Sequence, residues 1–114
     1  RQVWKHHEEN KKDLFDNMGK HEVLMVYFDI ADAIGHLSFG DEEKMRSVYD
    51  ELDNIVMRVK EEFDGTILII SDHGMKPVGR FGDHTNNGFW SINKDISFGE
   101  PCITEFKRII PELV

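Results

Sequence analysis

Cysteine is nearly absent. Cys102 stands alone among 114 residues, so no internal disulfide can form and a disulfide-stapled scaffold is excluded. That usage slightly favours a reducing compartment, with a cytoplasmic location as the expectation. No apolar run reaches the roughly 18 residues that a membrane-spanning helix needs, and no signal-peptide pattern opens the given sequence at Arg1. Internal repeats, low-complexity tracts and Pro/Gly-rich linkers are missing too, so residues 1–114 read as a single domain or a piece of one. Basic charge is in deficit, with 14 Lys and Arg against 22 Asp and Glu and a formal net charge of −8. Such a surface does not neutralise phosphates, so no nucleic-acid partner is expected. A bound cation would still make an anionic substrate acceptable.

What is present suits a globular domain: 39% hydrophobic and 32% charged residues. Residues 2–18 predict a polar helix with Trp4, Leu14, Phe15 and Met18 as its core positions, stopped at Gly19. The run "EVLMVYF", residues 22–28, predicts a strand covered on both faces. Residues 29–40, with two glycines, read as a loop. Asp41 caps the next helix, in which Met45, Val48, Tyr49, Leu52, Ile55, Val56, Val59 and Phe63 recur at spacings of three and four. "TILIIS", residues 66–71, is a second buried strand, and "GFWSIN", residues 88–93, a third. Residues 102–113 predict a closing helix that buries Ile103, Phe106, Ile109 and Ile110. A helix between two buried strands implies a right-handed βαβ unit, hence an α/β fold with a mostly parallel sheet and flanking helices.

In such a sheet the loops after the strands share one edge, where ligands bind. "DIADAIGH", residues 29–36, follows the first strand and "SDHG", residues 71–74, the second; "GDHTNN", residues 82–87, leads into the third. Asp32, His36, Asp72, His73 and His84 therefore converge on one crevice. Asp and His suit zinc or manganese, and two cations about 4 Å apart form a phosphoryl clamp. Taken singly, an Asp-His pair after a strand is more often capping and solvated loop; three clusters at one edge favour a site. His6, His7 and His21 lie apart from these loops and are read as surface residues.

The ordered set "DAIGH", "SDHGM" and a later "HT" resembles the C-terminal part of the alkaline phosphatase superfamily, and most closely the type I phosphodiesterase/nucleotide pyrophosphatase group, over roughly residues 22–110. Cofactor-independent phosphoglycerate mutases are similar, and "HTNN" leans that way. The resemblance implies a phosphate ester or nucleotide substrate and two divalent ions, zinc or manganese. Asp32, His36 and His84 would hold one and Asp72 and His73 the other, with Asp29 unassigned. It also implies a Thr or Ser nucleophile and one further metal-binding Asp from an N-terminal segment. Nothing before Glu22 resembles that segment, and Ser38, Ser71, Thr85 and Ser91 do not occupy the nucleophile's motif. The chain thus reads as a partial alkaline phosphatase-like core, the C-terminal segment of a catalytic domain. Its expected partner is the missing N-terminal half or a second copy. A phosphoglycerate mutase-like phosphotransferase and a non-catalytic metal-binding module are the alternatives; a sulfatase-like member is less favoured, because its modified Cys or Ser would lie in the missing half.

Overall fold

The strongest periodic pattern in the sequence becomes the longest element. In the computed structural model, which describes residues 2–114, α3 spans Glu42–Glu62. Asp41 caps it as expected, its carboxylate accepting from the Lys44 backbone N–H at 3.2 Å. The helix buries Met45, Val48 and Ile55, while Tyr49 at the edge of the stripe stays exposed.

Helix α1, Gln2–Asn17, matches the expected helix, but its buried residue is not one of the apolar candidates. Trp4, Leu14, Phe15 and Met18 are half-buried, and His7 is 1% exposed, which corrects its reading as a surface residue. Its ring lies between Trp4 and Phe28, with centroids 5.7 and 5.5 Å away, and its Nε2 is 2.8 Å from Glu51 Oε2 on α3. A mostly polar helix can bury a histidine when the facing helix supplies the partner. His6 and His21 are exposed.

Residues 29–40 are helical where their glycines predict a loop. Helix α2 spans Ile30–Ser38 and opens with the Ala33 N–H donating to the Asp29 carbonyl at 2.9 Å. Gly35 lies inside it beside Met75: a Cβ there would stand 2.9 Å from Met75 Cε, the mobile end of that side chain. Ile30, fully buried, anchors α2, which packs against both α1 and α3.

The parallel sheet is not formed. Strand β1, Leu68–Ser71, pairs antiparallel with β4, Phe89–Ile92, in the register Leu68↔Ile92 to Ser71↔Phe89. Between them β2, Gly74–Val78, and β3, Phe81–Thr85, form an antiparallel hairpin that turns at Gly79, where φ is +62°. The expected first strand, residues 22–28, joins neither sheet, so the βαβ unit has no strand to be parallel to β1. The class is mixed α/β with short antiparallel sheets. Strand β1 is half-buried along its length rather than buried on both faces. A short 3-10 turn, Ile103–Glu105, leads into α4, Phe106–Glu112, which buries Phe106 and Ile109 beside Phe98 and Trp90; Ile103 is exposed, against expectation.

The fold is flat, with extents of 42 × 32 × 19 Å. Its radius of gyration is 15.1 Å, whereas a compact domain of this length has one of roughly 13 Å. No described helix is long and apolar enough to cross a membrane.

Candidate metal centre

The contact of α2 with β3 places the site. Gly82 on β3 is buried against α2: a Cβ on it would lie 2.5 Å from the Gly35 carbonyl oxygen and 2.8 Å from Met75 Sδ. This close approach lets His36, one turn beyond Asp32 on the helix, donate its Nδ1–H to the Gly82 carbonyl at 3.1 Å. His84 follows two residues along β3 and therefore points to the same side of the strand as Gly82. Its Nε2 sits 2.8 Å from Asp32 Oδ1 and 2.9 Å from His36 Nε2.

The loop after β1 brings the fourth group. Ser71 Oγ donates to the His73 carbonyl at 2.6 Å, and Thr85 Oγ1 accepts from the Gly74 N–H at 3.1 Å. These bonds tie "SDHG" to the hairpin. His73 donates its Nδ1–H to the Gly74 carbonyl at 2.8 Å, and its Nε2 faces Asp32 Oδ1 at 3.5 Å. The His73 ring stacks on that of His84 with centroids 3.5 Å apart. Of the five residues singled out in the sequence, Asp32, His36, His73 and His84 meet around one carboxylate oxygen. Asp72 remains at the rim, 63% exposed, with Oδ1 3.7 Å from His73 Nε2.

The protons in this cluster follow from the acceptors. A carbonyl only accepts, so Gly82 and Gly74 fix the Nδ1–H tautomer of neutral His36 and His73. Both Nε2 atoms then present lone pairs inward. With the three rings neutral and Asp32 ionised, one inward proton remains, on His84 Nε2, which faces both His36 Nε2 and Asp32 Oδ1. Lone pairs therefore outnumber protons at the centre. This is the donor set that a cation neutralises, and backbone carbonyls holding the outer nitrogens of ligating histidines are the usual support for one. Asp32, His73 and His84 have ligand atoms mutually within 4.8 Å, close enough to share an ion.

Tyr27 was not among the residues expected at the site, because it falls within the predicted strand. Its phenol is held above the ordinary tyrosine pKa, first by partial desolvation and then by the negative charges of Asp32, Asp72 and Asp29. The hydroxyl therefore lies within the field of the site's carboxylates. A second group, His7, Glu8 and Glu51, also has the spacing of a metal site. There, however, Lys11 Nζ already occupies Glu51 at 3.3 Å, and the cluster ties α1 to α3.

The family description "Type I phosphodiesterase / nucleotide pyrophosphatase" matches residues 2–91. Among curated proteins, the 2,3-bisphosphoglycerate-independent phosphoglycerate mutase of Malacoplasma penetrans is 32% identical over 99 residues, covering 77% of this chain and 19% of that protein. The GPI ethanolamine phosphate transferase 2 of Kluyveromyces lactis is 32% identical over 54% of this chain and 8% of its own length. GPI ethanolamine phosphate transferase 3 of Schizosaccharomyces pombe is 30% identical over 68% of this chain and 9% of its length. The matched region thus spans about a fifth or less of these relatives. No solved structure matches significantly. The match across residues 2–91, together with relatives that are alkaline phosphatase superfamily members, places this chain in the type I phosphodiesterase/nucleotide pyrophosphatase family, a family of phosphoryl-transfer enzymes.

Proposed function

We infer that this chain supplies the divalent-cation centre of a metal-dependent phosphoric ester hydrolase of the phosphodiesterase/nucleotide pyrophosphatase kind. The carrying observation is the convergence of His36 Nε2 and His73 Nε2 on Asp32 Oδ1, with the other nitrogen of each ring against a backbone carbonyl. Asp32, His36, His73 and His84 would hold zinc or manganese, with Asp72 at the rim available to a second ion. Bound there, the cation would polarise a phosphoryl oxygen and stabilise the charge that develops on it. Asp32 supplies the charge that anchors the centre, and the two locked rings keep its geometry without reorganisation. Asp72, exposed beside His73, would set the approach of an anionic ester by repelling it unless a cation is in place.

Titration of the purified chain with zinc or manganese, followed calorimetrically, tests this reading. Stoichiometric binding is expected. Replacing His36 or His84 with Ala should weaken it by about 10–100-fold or more, the loss seen when even the supporting groups of metal ligands are removed. Absence of stoichiometric binding by the parent chain overturns the reading. Little turnover is expected from this chain alone, because its Ser and Thr residues do not occupy the family's nucleophile position.

A mutase-like phosphotransferase is the second reading, favoured by the 32% identity to the Malacoplasma penetrans enzyme over 77% of this chain. Turnover of phosphoglycerate, rather than a nitrophenyl phosphodiester, by a protein carrying this region within a whole catalytic domain would select it. A chain that binds metal but supports neither reaction in that setting would be a non-catalytic metal-binding module.

A further inference from the structure

Ser71 and Thr85 carry hydroxyls beside the site but stand outside the nucleophile's motif. Both hydroxyls are engaged with backbone instead. Ser71 Oγ donates to the His73 carbonyl at 2.6 Å, and Thr85 Oγ1 accepts from the Gly74 N–H at 3.1 Å. That carbonyl and that N–H belong to one planar peptide unit, the one joining His73 to Gly74. Its two ends are therefore held from two elements, the last residue of β1 and the last residue of β3. Gly74 and Thr85 face each other in the hairpin register, and a Cβ on Gly74 would lie 2.6 Å from Thr85 Oγ1. The hydroxyl thus sits directly over the glycine. Ser71, His73, Gly74 and Thr85 are all half-buried, where leaving a backbone group unpaired is costly.

The held peptide governs the ring that precedes it. Its tilt sets the direction in which the chain runs on to the Gly74 carbonyl, and that carbonyl accepts the His73 Nδ1–H at 2.8 Å. A ring held through Nδ1 turns its Nε2 toward Asp32 Oδ1, 3.5 Å away, and lies flat against His84 with centroids 3.5 Å apart. With either hydroxyl gone, the peptide can rotate about the bonds that flank it. The ring then loses the acceptor that decides which of its nitrogens carries the proton. His36 has no such dependence, because its Nδ1–H goes to the Gly82 carbonyl within β3. The two hydroxyls therefore bear on one imidazole of the centre and not on the other.

We propose that Ser71 and Thr85 are positioning residues: a two-hydroxyl clamp on the His73–Gly74 peptide that sets the Nδ1–H tautomer of His73 and aims its Nε2 at the cation site. The effect on cation affinity rests on the metal-centre reading above, whereas the tautomer belongs to the metal-free chain and is tested without it. The whole chain, labelled with nitrogen-15 histidine, is studied by NMR at a pH of about 8.5, above the ordinary histidine range. His73→Gln and His36→Gln assign the two rings. In the parent chain the His73 proton should sit on Nδ1. Ser71→Ala and Thr85→Val should each return His73 to a mixture of tautomers while His36 keeps its proton on Nδ1. Thr85→Ser, which keeps the hydroxyl, should keep the parent pattern. Zinc affinity should fall about 10–100-fold in the Ala and Val variants, as for other groups that support a ligand. The double variant should lose little more than either single one, because both hydroxyls act on one peptide. A His73 tautomer unmoved by either substitution, a His36 ring disturbed as much as His73, a Thr85→Ser chain that behaves like Thr85→Val, or losses that multiply in the double variant each overturns the proposal. A parent chain that binds no zinc yet shows the His73 response supports the clamp and overturns the cation reading alone.

Discussion

Asp32 is the residue on which the site turns, because three imidazole nitrogens lie within 3.5 Å of its Oδ1. Its charge also reaches Tyr27, whose phenol is raised by partial desolvation first and by Asp32, Asp72 and Asp29 next. Below the ordinary tyrosine pKa of about 10 the phenol is neutral in folded and unfolded chains alike, so it adds no pH dependence there. As pH climbs through that value the unfolded chain ionises first, and stability falls until the folded phenol ionises as well. Asp32→Asn should lower the Tyr27 midpoint, read as phenolate absorbance in a Tyr49→Phe background. An unchanged midpoint would show that the Asp32 charge does not reach the phenol. Sequence reasoning singled out Asp32, His36, Asp72, His73 and His84 through three short motifs, since Asp and His at loop ends are visible as residue types. It missed Tyr27, which looks like any core residue of an apolar run, and misread His7, whose burial depends on Glu51 44 positions away.

At the level of elements, the α2–β3 contact holds the centre together. His36 and His84 meet where Gly82, lacking a Cβ, lets β3 approach the Gly35 carbonyl of the helix. Gly82→Ala should therefore push α2 from β3, costing about 1–3 kcal/mol of stability as overpacking does, and should weaken metal binding although no ligand is altered. Denaturant melts and metal titration together check this; unaltered affinity would mean that the ligands are positioned independently of this contact. Helix α3 was legible because its apolar stripe and Asp41 cap are local features. Helix α2 was not. Glycine in a sequence signals a turn, whereas Gly35 sits inside a helix that packs against α1 and α3. Strand β4 was visible as an apolar run, but its antiparallel pairing with β1 was not, since the direction of pairing depends on the hairpin between them.

For the molecule as a whole, a cation that binds only the folded state adds stability by mass action. At a free zinc or manganese concentration a hundred times Kd the gain is about 2.7 kcal/mol, a rise in Tm of roughly 10 °C for a domain of this size. Calorimetric melts with and without a chelator measure it, and coincident melting curves would count against a centre preformed in the fold. At a fixed cation concentration, the net charge of −8 should make the gain larger at low salt, where attraction of the cation is less screened and Kd is lower. By itself the sequence determined the residue types, their order in three motifs, the family and the long amphipathic helix, all of which are written in local patterns. Only the tertiary structure decided that His73 joins Asp32 and His84 around a single oxygen, that the sheets run antiparallel and that residues 22–28 stand unpaired. Those outcomes depend on contacts between residues far apart in the chain, where a glycine's missing Cβ, a carbonyl's fixed role as acceptor or the lack of a neighbouring strand settles what residue type alone leaves open.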